Sequence, residues 1–192
     1  LSYASPVSHR SVTSGRNTYG MKPSNFKNEN RIAVFIDGYS FYHMQKDYLR
    51  WFINPKKLLD QVRTLGKVVE AHYYSTINYE SRGQVNFMRA LGHMGYQVHQ
   101  QELLIDGEDF NTIEIEMMLD IVQKMDNYDT AILLTNDYAF NEVLKKLKKA
   151  DKRAILWSVE NYTPEPLLKL LNGNFQDVSH LKRQIEKTEQ LN

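Results

Sequence analysis

From Arg31 onward, apolar runs of strand length alternate with longer stretches in which apolar residues recur every three or four positions. Ile32 to Ile36 is a continuous β-branched and aromatic run that stops at Asp37-Gly38. A run of that length, bounded by turn residues, reads as a strand buried on both faces. Phe41 to Trp51 reads as a helix, and Asn54-Pro55 supplies an N-cap and first-turn proline for a second helix through Leu65. Val68 to Tyr74 is the second predicted strand. Ser81, with Gln84 three residues on, forms a capping box ahead of Val85, Met88, Ala90 and Leu91. Tyr96 to Leu104 is the third strand, Ile105 to Asn111 a polar loop, Thr112 to Met125 a helix and Thr130 to Leu134 the fourth strand. Phe140, Val143, Leu144 and Leu147 then fall at i, i+3, i+4 and i+7, an apolar stripe on one helix face. Ala154 to Val159 is the fifth strand. Pro164 to Leu171 is a short helix closed by Asn172-Gly173, and a polar tail helix follows.

Strands that alternate with helices imply crossover units and a parallel sheet covered on both faces, an α/β fold. The 192 residues suit one domain, and the sequence contains no internal repeat. At 42% apolar residues the chain can bury one sizeable core. No apolar run approaches the roughly 18 residues of a membrane span. There is no cysteine, which excludes a disulfide framework, a zinc–thiolate finger and a thiol nucleophile. Chemistry is left to Asp, Glu, His, Ser and Lys. The net charge of +1 carries no steering argument, so charge matters only locally.

Residues 1–28 differ from the rest. They hold six serines and four basic residues, Arg10, Arg16, Lys22 and Lys27, with no Asp or Glu and no periodicity. This basic Ser-rich extension, residues 1–30, has the composition of an organellar transit peptide, or of a segment that lies on a protein or ribonucleoprotein partner. Met21 equally suits a native start preceded by vector-derived residues. The domain proper is expected over 31–181, with a polar C-terminal tail at 182–192, in the cytoplasm or an organellar matrix rather than outside the cell.

Sites in open parallel sheets form beyond the carboxyl ends of the strands, where strand order reverses. The first strand ends in Asp37 and the fourth in Thr135-Asn136-Asp137, while the helix entered at Thr112 brings Glu114, Glu116 and Asp120. If the first and fourth strands are neighbours, Asp37 and Asp137 meet over the sheet edge. Gathered carboxylates repel one another, and a hard divalent cation held by oxygen ligands relieves that repulsion. Two such ions, about 3.5–4 Å apart, would clamp an in-line phosphoryl displacement. Each acid also has a local reading. Asp37 and Asp137 suit helix caps, Glu114 pairs with Asn111 in a capping box, and Asp120 suits a solvated face. No glycine-rich dinucleotide fingerprint, phosphate-binding loop or nucleophile elbow is present, and Tyr39 stands where a phosphoaspartate phosphatase needs its second Asp.

The runs Val34-Phe35-Ile36-Asp37-Gly38-Tyr39-Ser40-Phe41-Tyr42 and Tyr128-Asp129-Thr130-Ala131-Ile132-Leu133-Leu134-Thr135-Asn136-Asp137-Tyr138-Ala139-Phe140, with the Glu114 to Asp120 helix between them, resemble the NYN domains of the LabA-like family. Those are relatives of the PIN-domain ribonucleases. The resemblance covers roughly 31–181, including Trp51-Phe52-Ile53 and Leu91-Gly92-His93-Met94-Gly95-Tyr96. It implies a PIN-like three-layer sandwich around a five-stranded parallel sheet of order 3-2-1-4-5, and metal-dependent endoribonuclease cleavage with Mg²⁺ or Mn²⁺. Carried over by position, Asp37, Glu114, Asp120 and Asp137 are the catalytic acids, with Asp37, Asp137 and Glu114 as metal ligands. Ser40 replaces the family's Asn, Phe110-Asn111 replaces Lys-Gly, and Ala139 replaces a second strand-end aspartate. These departures open a second reading, in which the domain is a degenerate binding or structural subunit of a ribonucleoprotein.

RNA is the implied partner, and Tyr39, Ser40, Thr135, Asn136, Lys145 and Lys149 are the candidate substrate-binding residues. Lys145 to Arg153 carries six basic residues in nine positions, either a phosphate-tracking surface or a solvated helix end. Of the aromatics after Asp37, Tyr39 and Tyr42 are expected to stack on bases, and Phe41 and Trp51 to be buried. His43 is either near the scissile phosphate or structural.

Overall fold

The computed structural model describes residues 29–102, 112–171 and 173–188. The basic segment 1–28, the predicted loop 105–111, Asn172 and the last four residues lie outside them.

Six parallel strands form one sheet: β1 (Arg31–Asp37), β2 (Lys67–Ile77), β3 (Gln97–Glu102), β4 (Thr130–Leu134), β5 (Arg153–Ser158) and β6 (Phe175–Asp177), in the order β3-β2-β1-β4-β5-β6. The five expected strands occur in the expected order, and β6 adds a sixth at the edge. At three residues it is too short to show a period. β1 and β4 are neighbours, in register from Ile32 opposite Thr130 to Ile36 opposite Leu134. Their carboxyl ends, at Asp37 and just before Thr135, therefore open side by side.

The alternation of β1 divides the core. Ile32, Val34 and Ile36 pack with Leu58, Leu59 and Leu91 on one face, while Ala33 and Phe35 pack with Ile113, Met117 and Leu147 on the other. The first face is covered by α1 (Gly38–His43), α2 (Pro55–Arg63), α3 (Arg82–His93) and the short α7 (Lys182–Ile185). The second lies under α4 (Thr112–Gln123), α5 (Phe140–Lys149) and α6 (Glu165–Leu171). The result is the expected three-layer sandwich.

The caps follow the sequence. Asn54 Oδ1 accepts from the N–H groups of Lys56 and Lys57, and Ser81 Oγ from Gln84 N. The return half of the Ser81 box is redirected, because Gln84 Oε1 accepts from Asn78 N at 2.9 Å. The single helix expected over Phe41 to Trp51 begins earlier, at Gly38, and widens into a π-helical stretch at Met44–Leu49. Buried Gln45 accompanies that change: its Nε2 donates to Phe41 O and its Oε1 accepts from Ile53 N. Arg50, in the left-handed region at φ 60°, ends the stretch. In place of the expected polar tail helix are β6, a 3₁₀ turn at Val178–Leu181 and α7.

Gly38 is needed for space rather than for φ. A Cβ there would lie 2.8 Å from Tyr74 O and 2.9 Å from Ser75 Cβ, so β1 turns into α1 against the backbone of β2. That strand runs to Ile77, three residues past its predicted end, and carries Ser75 and Thr76 to the same rim.

Candidate functional site

A cleft of about 420 Å³ opens at the carboxyl ends of β1, β2 and β4, with Asp37, Glu114 and Asp137 in its walls. Asp37 is 4% exposed and caps α1. Its Oδ1 accepts from Tyr39 N (3.0 Å) and Ser40 N (3.2 Å), and its Oδ2 from Thr135 Oγ1 (3.1 Å) and the Ser40 hydroxyl. Burial pushes the carboxyl above the ordinary aspartate range, and these four hydrogen bonds pull against that shift. Four donors match the four lone-pair sites of a carboxylate. Ser40, however, has one proton and two acceptors, since Asn136 Oδ1 lies 2.8 Å from its Oγ. Turning that proton to Asn136 frees a site on Asp37 Oδ2.

Glu114, in the first turn of α4, is half-buried, and its Oε2 is buried with no hydrogen-bond partner among the described residues. Its pKa is raised, first by burial and then by the charges of Asp37 and Asp137. A buried acceptor without a donor is costly unless a cation or water meets it. Asp137 turns the chain into α5: its Oδ1 accepts from Ala139 N at 2.8 Å, and its N–H donates to Thr135 Oγ1 at 3.2 Å. Ala139 itself is the exposed N-cap residue, with no side-chain cap. The capping reading of Asp37 thus holds alongside its position in the cleft, whereas Asp137 closes a turn ahead of α5, whose N-cap is Ala139. Asn111, the capping-box partner suggested for Glu114, and the Phe110-Asn111 pair are outside the described residues.

The structure does not bring Asp120 to this group. Six residues along a helix advance a side chain by about 9 Å and rotate it by about 240°, so Glu114 and Asp120 cannot share a face. Asp120 Oδ2 accepts from Tyr74 Oη at 2.8 Å and lies 3.8 Å from His99 Nε2, while Oδ1 meets Lys124 Nζ at 3.1 Å. Asp37, Glu114 and Asp137 do not themselves converge on one point. Among the described residues, only His72, His99 and Asp120 bring three ligand atoms of His, Asp or Glu within 4.8 Å of one another.

Tyr39, 66% exposed, Ser40 and Asn136 line the cleft, and Thr135 is buried and bonded to Asp37. Tyr39 stacks at a tilt on His43, with centroids 4.4 Å apart, and the His43 Nδ1 pairs with Asp47. Phe41 is buried; Trp51 is only partly so, with Lys182 over its ring. Lys145 and Lys149 are on the exposed side of α5 and line no part of the cleft; Lys145 pairs with Glu142 at 2.7 Å. Tyr74, Ser75, Thr76 and Gln101 also line the cleft without having been singled out. The strand-end rule that selected Asp37 reaches them too, through β2 and β3, but acidity alone drew attention.

Residues 31–179 match the profile of the NYN domain. This chain belongs to the NYN domain family. As an NYN domain it is of the LabA-like type and has a PIN-like fold, in a nuclease-type family. The "Low amplitude and bright protein LabA" of Synechococcus elongatus is 25% identical over 170 residues, 83% of this chain and 89% of that protein. A protein of unknown function from Vibrio parahaemolyticus, solved by crystallography, shares the fold at a TM-score of 0.67 and 19% identity. The match covers 76% of this chain and 91% of that one. No helix of the NYN domain's described residues is long and apolar enough to cross a membrane.

Proposed function

We propose that this NYN domain hydrolyses RNA phosphodiester bonds with the aid of Mg²⁺ or Mn²⁺ held by Asp37, Glu114 and Asp137. The observation that carries this reading is the buried Oε2 of Glu114, without a hydrogen-bond partner among the described residues and placed in one cleft with Asp37 and Asp137. An oxygen-only donor set suits a hard cation, and acids that share a cleft without gathering three ligand atoms within 4.8 Å suit Mg²⁺, which keeps several waters and binds through one or two carboxylates plus substrate phosphate. When bound, such an ion neutralises charge on the phosphoryl group and activates water for in-line displacement.

The chain's own residues do the rest. Thr135 and the backbone of α1 fix the Asp37 carboxylate, and the Ser40 proton moves between Asp37 Oδ2 and Asn136 Oδ1 to open or close one acceptor site. Glu114 supplies a buried oxygen that no other described residue engages. Tyr39, exposed at the rim, offers a flat face on which an unpaired base stacks, as in single-strand RNA recognition.

A second reading has its own support. All four acceptor sites of Asp37 are filled, and Ala139 contributes no carboxylate, which suits a cleft kept for binding RNA without cutting it.

The test is incubation with single-stranded RNA and Mn²⁺ or Mg²⁺, beside Asp37→Asn, Asp137→Asn and an EDTA control. Cleavage that needs the metal and disappears in both variants is the expected result. RNA retention without cleavage by the wild type establishes the second reading instead.

A further inference from the structure

We propose that His72, His99 and Asp120 form a separate cation site, for a borderline transition-metal ion of the Zn²⁺ class, between the β2–β3 edge of the sheet and α4. The site uses none of the three cleft acids and stands independently of the proposed cleavage.

Three elements build it. His99 lies on β3 directly opposite Tyr74, and His72 is two residues before Tyr74 on the same face of β2. Glu116 and Asp120 are four apart on α4 and so share a helix face. Both rings are fixed by stacking, His72 on Phe35 with centroids 5.1 Å apart and His99 on Tyr74 at 4.2 Å.

The hydrogen-bond network then assigns the tautomers. His72 Nε2 lies 2.9 Å from Glu70 Oε2, and His99 Nδ1 lies 2.8 Å from Glu116 Oε1. An ionised carboxylate only accepts, so each of these nitrogens carries the ring's hydrogen. In neutral rings, His72 Nδ1 and His99 Nε2 are then both bare lone pairs, facing each other at 3.1 Å. Two lone pairs at that distance repel unless a positive species meets them. In a tetrahedral zinc site, with Zn–N near 2.0–2.1 Å, the ligand nitrogens stand about 3.3 Å apart, close to the spacing found here.

The surroundings favour a metal over a proton. Asp120 supplies the third ligand atom: Oδ2, which faces His99 Nε2, accepts from Tyr74 Oη and keeps a second lone pair for the cation, while Oδ1 meets Lys124. Glu70 and Glu116 stand behind the two rings as the orienting carboxylates common to metal-bound histidines. Glu70 is itself held by Asn127 Nδ2 at 2.6 Å. Three carboxylates against one ammonium leave the cluster negative. His72 is fully buried, with its Nε2 held by Glu70, so its Nδ1 is aimed at His99 and Asp120 and away from solvent. The His99 and Asp120 side chains, 20% and 16% exposed, leave a way in from solvent.

The experiment strips the purified chain with a chelator, dialyses the chelator away and titrates Co²⁺ as a spectroscopic stand-in. One equivalent is expected to give the visible bands of a tetrahedral ion, displaced by Zn²⁺ and not by Mg²⁺, with a rise in Tm. His72 is fully buried and its variants risk misfolding, so the variants are His99→Gln and Asp120→Asn, whose folding is checked by circular dichroism. Both lose the bands; Glu116→Gln weakens binding roughly 10- to 100-fold; Asp137→Asn keeps them. Absence of bands in the wild type, bands that survive His99→Gln, or an ¹⁵N spectrum showing an imidazolium in metal-free protein that takes up no Co²⁺ would each overturn the proposal.

Discussion

Asp37 and Glu114 are carboxylates whose folded-state pKa values lie above their ordinary ones, both chiefly because of burial. A raised carboxylate means that the native state holds its proton longer than the unfolded chain does. Its contribution to stability is therefore present at acid pH and is lost as pH rises through the folded value. At neutral pH without divalent cation, each charge weakens the fold. Asp37→Asn and Glu114→Gln are accordingly expected to melt at or above the wild-type Tm in EDTA at pH 7, the difference shrinking as pH falls. Thermal melts across the pH range check this. The same two variants should lose cation-dependent cleavage by more than the roughly 10- to 100-fold that removal of an outer-shell partner costs. Greater stability with lost activity marks a residue kept for chemistry; a drop in both marks Asp37 as a cap alone. The sequence exposed Asp37 because strand ends are where sites form, and Glu114 because it stands in the first turn of a helix that the family resemblance marks. It hid the role of Asp120, since spacing along the chain names an acid without saying which way it faces. The partners of His72 and His99 were hidden too, being brought together only by the pairing of β2 with β3.

At the scale of elements, the turn from β1 into α1 sets the position of Asp37, and Gly38 sets the turn. Gly38→Ala puts a methyl group against Tyr74 O and Ser75 Cβ, neither of which is the free end of a flexible side chain. Overpacking of this kind costs about 1–3 kcal/mol, to be read from urea or guanidinium unfolding midpoints. Five strands and the main helices were legible because their apolar periods are long or β-branched and their caps are local. β2 was read short because Ser75 and Thr76 break the apolar run although the backbone continues to Ile77. The helix after Asp37 was read as uniform because a widened turn leaves no mark on the apolar spacing. It shows itself only in what buried Gln45 bonds to.

For the molecule as a whole, the cleft and the lysine-rich end of α5 are different surfaces. Lys145 is paired with Glu142, and neither Lys145 nor Lys149 lines the cleft. If each held a phosphate of single-stranded RNA, the pair would contribute about 1.4 to the slope of log K against log salt. The Lys145→Ala, Lys149→Ala variant is expected to keep the wild-type slope within about 0.7, as measured by RNA binding over a salt series. The sheet order has another consequence, for the growing chain. Asp37 is made early, while Glu114 and Asp137 follow only after β3. A nascent polypeptide that has reached Glu102 possesses one wall of the cleft and cannot possess the other. Whatever nucleic acid the finished domain engages, including the message being translated, is out of its reach until β4 has emerged from the ribosome and docked beside β1.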